Sequence, residues 1–377
     1  MKKTYAVFIS ALLALALLLC ACGAPQNEQS GQVSAESSES AGSSAPEQES
    51  SEEPSSPAES EEVSEPEESG AEEPVKQIPY RLAGKDEGRE LLINNEEYHG
   101  GFSQNELDFK MQKVGTTMEE YLAFAAEQTL DFTEEEAGIV AVCFGRMERT
   151  LAENGYALPP LDEAVIVKTT MAEESGAAGY THGTVIFLGI PAFEYVFKHT
   201  DGTGEDYLTL LLWHELFHCL TRCNPQFRSA MYNIIHFTVG EEDYPLPPSV
   251  FEYHISNPDV EHHDSSAIFR IDGRDVECFT DFVTTKHFET EGDTFFSCCT
   301  TALVPTDGTD IYYTPEQAEN FYDVFGNNTG YVVDPEECLA DNFSLAMTYG
   351  TAGKNGEGYK NPEIIEAILA YLTPTAK

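Results

Sequence analysis

The run 206–222 (DYLTLLLWHELFHCLTR) constrains this chain more than any other segment. Its Leu, Trp and Phe residues cover most of the circumference of a helix, so the helix must be packed on nearly all sides. Yet it carries His214, Glu215 and His218. An imidazole pair set among Leu212, Trp213, Leu216 and Phe217 is costly to bury without a partner. Spacing i, i+4 puts both rings on one face, one turn apart, where together they can grip a cation. Glu215 sits about 100° round from His214, able to reach a water on such a cation and badly placed to be a third ligand.

His214-Glu215-Leu216-Phe217-His218 matches H-E-x-x-H, the arrangement of a zincin, with two His on Zn²⁺ and a Glu that takes a proton from water. A catalytic zinc takes three protein ligands. A metzincin would place Gly and a third His within six residues of His218, but the chain reads Cys219-Leu220-Thr221-Arg222-Cys223-Asn224, which excludes it. The remaining source is an acid on a second helix. The run 334–343 (DPEECLADNF) offers Glu337 and Asp341 one turn apart, whereas Glu336 has only Ala340 at i+4.

HELFH followed by a helical E-x-x-x-D resembles the gluzincins, the thermolysin-like clan of zinc metallopeptidases, and PEECLADNF is similar to the third-ligand helix of gluzincin-type bacterial lipoproteins. The resemblance implies Zn²⁺ held by His214, His218 and Glu337, with Glu215 as general base. It implies that Asp341 accepts a hydrogen bond from a ligand imidazole, and that the substrate is a peptide or protein. It also implies an α+β, two-lobed, zincin-like domain over 76–377. Tyr331, six residues ahead of Glu337, is similar in place to the oxyanion donor of the thermolysin type, and His254 is a second candidate. The chain departs from that type in the long stretch 219–336 between His218 and Glu337.

Local signals fill in the rest. Helical spacing predicts helices over 116–128 and 133–154, the second opened by a Thr133/Glu136 capping box. Strands are expected at 163–169 and 183–190, with a turn-rich link between them, and the resemblance to zincins implies that 183–190 is the sheet edge beside the cleft. Asp272-Gly273 predicts a hairpin of 267–271 with 276–282. Further strands are expected at 294–303 and 310–313, so a β-rich insertion separates the two motif helices. Helices are then expected at 314–325, 334–349 and 362–372, where Pro315 and Pro335 follow a capping Thr or Asp. Cys219 and Cys338 adjoin the candidate ligands but point elsewhere and read as packed thiols. His262-His263 reads as solvated surface.

Lys2, Lys3 and the apolar run 11–19 read as a secretion signal. Leu19-Cys20-Ala21-Cys22-Gly23 resembles a bacterial lipobox, which implies a lipid on Cys22 and anchorage to the outer face of a cell membrane; the plainer alternative is cleavage near Ala21 or Gly23. Residues 24–75 hold 15 Glu, no Lys or Arg and almost no large apolar side chain, so they are expected to form a disordered tether. With 20 basic and 66 acidic residues the net charge is −46, which repels phosphate backbones and argues against nucleic-acid binding. The expected protein is an extracytoplasmic, monomeric zinc metallopeptidase. Two other functions fit the same features, a non-catalytic metal-binding lipoprotein and an amidase acting on cell-wall peptides.

Overall fold

The computed structural model describes residues 77–374, and the secretion signal, Cys22 and the tether lie outside them. The described chain is mixed α+β. Its first sheet is ordered β1 (Tyr80–Leu82), β3 (Ala164–Thr169), β5 (Val185–Gly189), β4 (Gly179–His182), and the short β2 (Thr129–Leu130) pairs antiparallel to β3. The first three strands of that order run parallel and β4 runs antiparallel to β5. Side chains alternate across a strand, and here the alternation separates two cores. Ala164, Ile166, Ile186 and Leu188 face the main core, whereas Val167, Phe187 and Tyr180 face a smaller one with Leu92, Leu107 and Tyr121.

The four longest helices supply the rest of the main core: α1 (Glu134–Asn154), α2 (Thr203–Cys223), α3 (Pro335–Tyr349) and α4 (Pro362–Leu372). The Thr133/Glu136 capping box opens α1, with Thr133 accepting from the Glu136 N–H and Glu136 accepting from the Thr133 N–H. The α2 helix buries Leu208, Leu212, Trp213, Leu216, Phe217 and Leu220 completely. Its polar residues therefore need partners from neighbouring elements.

A second, antiparallel sheet lies in the sequence between α2 and α3, ordered β6 (Thr238–Val239), β7 (Ser265–Ile271), β8 (Arg274–Thr284), β9 (Cys299–Pro305). Asp272 and Gly273 both take positive φ (50° and 70°) at the β7–β8 turn, the conformation an Asp-Gly hairpin requires. Among the described residues no helix is long and apolar enough to cross a membrane.

Three elements differ from the sequence expectation. The strand 183–190 is interior to the first sheet and turns helical at Ile190; the edge is β4, inside the segment read as turns. The helix expected at 314–325 is broken into a 3₁₀ turn, Pro315–Gln317, and a single short helix, Phe321–Phe325. Tertiary ties override helix propensity there: Ala318 bridges to Ile271, and the Asn320 side chain accepts from Arg270 N–H and donates to the Ile268 carbonyl. Residues 310–313 make only the Leu303–Tyr313 bridge, and 295–298 form one helical turn before β9 begins.

Candidate metal centre

The two imidazoles of α2 converge on one carboxylate of α3. His214 Nε2 lies 3.0 Å and His218 Nε2 3.6 Å from the same Glu337 Oε2. The other oxygen, Oε1, accepts hydrogen bonds from Tyr331 Oη at 2.8 Å and Asn257 Nδ2 at 2.6 Å. One oxygen is thus tied down and its twin aimed at the rings.

Each ring is held from behind by a second acid. His214 Nδ1 is 3.0 Å from Asp341 Oδ1, and the Thr329 hydroxyl donates to the other oxygen of Asp341. His218 Nδ1 is 3.1 Å from Glu336 Oε1, and Glu336 also accepts from the hydroxyls of Thr221 and Tyr232. An ionised carboxylate only accepts, so each Nδ1 carries a hydrogen and Nε2 is the ring atom turned toward Glu337. In the metal-free protein His214 Nε2 also holds a hydrogen, donated to Glu337 Oε2, and a bound cation would take that proton's place. His218 Nε2 is buried and makes no hydrogen bond. Two imidazole nitrogens and one carboxylate oxygen, each ring backed by an acid, form a donor set suited to a transition metal such as zinc. His214, His218 and Glu337 could hold a metal ion, and a second group, Glu215, His218 and Asp259, shares His218 with them.

Glu215, Asp259, Glu336, Glu337 and Asp341 crowd around two imidazoles and Arg222. Burial works against charge on His214, but its hydrogen bonds to Asp341 and Glu337 prevail and raise its pKa well above 6.5. Burial lowers His218, with Glu336 opposing. Burial also penalises Glu337, but the hydrogen bond and charge of His214 outweigh it and bring the carboxyl down to about 2. Asp259 rises well above its ordinary range through burial and the nearby Glu215 and Glu337 charges.

Glu215 stands beside this group, next to the sheet edge. Its Oε2 accepts from the Thr181 hydroxyl at 2.8 Å, and burial pushes its carboxyl up to about 7. Gly179 on β4 is needed for this approach, since a Cβ there would stand 2.8 Å from Glu215 Oε1. A carboxylate poised near neutrality can accept and return a proton.

Sequence reasoning named His214, Glu215, His218, Glu337, Asp341 and Tyr331, and the fold brings all six together. His254 is engaged elsewhere: its Nδ1 is 2.8 Å from Asp281 and its Nε2 3.2 Å from Ser256 Oγ. His263 is half-buried, 3.2 Å from the same Asp281, because β8 carries that buried acid beneath the loop; it is not solvated surface. Cys219 and Cys338 are fully buried free thiols outside the metal group. The sequence assigns no role to Asn257, Asp259 and Thr181, and has Glu336 only as the weaker neighbour of Glu337. Glu336 carried a signal, because two adjacent acids at the head of an apolar helix both need partners when that helix is buried. The other three sit in segments without periodicity.

Together these features define a mixed α+β protein with a buried two-histidine, one-glutamate group that could hold a metal ion. Compared with protein-family models, curated proteins and solved structures, the chain matches none.

Proposed function

We propose that this protein is a zinc metallopeptidase of gluzincin type, held outside the cell by a lipid on Cys22. The carrying observation is the convergence of His214 Nε2 and His218 Nε2 on Glu337 Oε2, with Glu215 alongside and hydrogen-bonded to the sheet edge. An antiparallel edge strand next to the motif helix also supports a zincin-like fold, because an extended peptide can add to such an edge.

Bound zinc supplies Lewis acidity, activating water near neutral pH and polarising a peptide carbonyl. His214, His218 and Glu337 would hold it. Asp341 and Glu336 keep each imidazole hydrogen on Nδ1 and each ring aimed inward. Glu215 accepts a proton on its carboxylate during attack and returns it to the leaving amine nitrogen. The Tyr331 ring lies 6.2 Å from the His214 ring between centroids, and its hydroxyl, on leaving Glu337 Oε1, is the donor for the developing oxyanion. The β4 edge aligns the substrate backbone.

Glu215→Gln tests the reading: it should keep full zinc and lose hydrolysis of an unfolded protein by at least a hundredfold, and retained hydrolysis would end the assignment of Glu215 as base. Muropeptides cleaved in place of unfolded protein would favour the cell-wall amidase. For the anchor, fatty-acid label should appear on the wild type and vanish in Cys22→Ala.

A further inference from the structure

The β4 edge is already engaged by the chain itself. Thr181 N–H donates to Asp259 Oδ1 at 2.6 Å, and Gly183 N–H donates to Glu261 Oε1 at 2.6 Å. Thr181 N–H belongs to the row an extended peptide would use, and Gly183 N–H follows two residues on, in the turn to β5. Acidic side chains of the loop between His254 and β7 occupy that row in place of backbone carbonyls. The same loop reaches into the metal group. Asn257 donates to Glu337 Oε1, and Asp259 Oδ1 lies 3.8 Å from His218 Nε2, almost as near as Glu337 Oε2.

The loop is fastened rather than loose. Arg222 on α2 donates to the Asp259 carbonyl at 2.6 Å and pairs with Glu261 at 2.9 Å. At its other end Ser256 donates from both N and Oγ to the buried Glu106, each at 3.0 Å. A turn from the Asn257 carbonyl to Val260 N–H presents Asp259 inward, where it is buried.

We propose that 257–261 is an internal strap that holds the site latent: Asp259 supplies a fourth protein donor to the metal group while Asp259 and Glu261 cover the substrate edge of β4. The inference rests on the metallopeptidase reading and adds its regulation. Catalytic zinc keeps one position open, whereas four protein donors close it. An extended peptide must displace the strap to reach either the edge amides or Glu215, so strap strength sets the cost of substrate entry. Its grip depends on acceptors that a substrate's carbonyl oxygens can replace one for one.

The test uses the full-length chain with Co²⁺ as the metal, comparing wild type, Asp259→Ala and Asp259→Asn, the last keeping an acceptor for Thr181 while removing the charge. The visible Co²⁺ spectrum reports the donor set, and a fluorogenic peptide reports kcat/KM. The strap predicts that both substitutions shift the spectrum and that Asp259→Ala raises kcat/KM at least tenfold. Glu261→Ala leaves the metal group intact and should raise kcat/KM without a spectral shift. Spectra and kcat/KM equal to wild type in all variants would overturn the strap while leaving the peptidase reading in place. A spectral shift with no hydrolysis in any variant would overturn the peptidase reading and leave only the place of Asp259 in the metal group, and failure of every variant to bind Co²⁺ would remove both.

Discussion

Glu336→Ala separates the cost of losing a buried acid from the cost of losing a metal. The Glu336 side chain is 3% exposed and accepts from His218 Nδ1, Thr221 Oγ1 and Tyr232 Oη, with Arg222 Nη1 3.6 Å away. Burial penalises its charge, yet these donors hold its carboxyl below the ordinary range, so the net interaction favours the folded protein. Truncation leaves two buried donors, His218 Nδ1 and Tyr232 Oη, without an acceptor at roughly 1–3 kcal/mol each, while the Thr221 hydroxyl keeps the His218 carbonyl. A cavity of about 370 Å³ lined by Thr221, Arg222, Tyr232 and Glu336 adjoins them and admits water that restores part of the loss. The expected cost to the metal-free protein is therefore at the low end of that sum, about 2 kcal/mol. Zinc affinity should also fall about 10–100-fold, because the His218 ring is no longer oriented. Asp341→Ala is the control. Asp341 is partly exposed and loses only His214 and Thr329, so zinc affinity should drop similarly while the metal-free protein loses about 1 kcal/mol. Urea unfolding after chelation gives the first quantity and competition with a chromophoric chelator the second. Metal-free Glu336→Ala as stable as wild type, or Asp341→Ala as destabilised as Glu336→Ala, would refute this reasoning.

Three further outcomes follow from the geometry. Burial pushes Glu173 up to about 7 from 4.5, so the fold prefers its neutral form; its contribution is intact below pH 4.5, declines up to pH 7 and is flat above, a loss of about 3 kcal/mol. Glu173→Gln keeps an acceptor for Tyr180 Oη and should gain about 2–3 kcal/mol on wild type between pH 5 and pH 8, and parallel urea midpoints across that range would count against it. Gly179→Ala should spare zinc binding but displace Glu215 Oε1 and cut kcat by at least tenfold; unchanged kcat would show that the strand yields instead. Tyr331→Phe should lower kcat about 10²-fold with KM nearly constant if its hydroxyl serves the oxyanion, whereas a change confined to zinc affinity would reduce its role to steadying Glu337.

The parts of this site legible in the sequence are those written in helical period. His214, His218, Glu337 and Asp341 each lie one turn from a partner, and both helices are apolar enough to demand burial, so their spacing already places on facing surfaces the groups that the fold brings together. Glu336 has no partner at i+4 on its own helix; its partners are His218, Thr221 and Tyr232 on other elements, which helical spacing does not show. The edge strand was missed for a different reason. Gly179–His182 is four residues long and is buried through pairing with β5 and contact with 257–261, so it has neither the length nor the alternation of a readable strand. Asp259 and Asn257 lie in an Asn-Pro-Asp turn, where composition indicates a loop and is silent on what the loop covers.

A three-ligand metal site is best tested by the zinc stoichiometry of the purified full-length chain beside His218→Ala and Glu337→Ala. One zinc per wild-type chain, lost or weakened by orders of magnitude in both variants, is the predicted result. Full zinc retained in Glu337→Ala, or none bound by the wild type after reconstitution, would contradict the account.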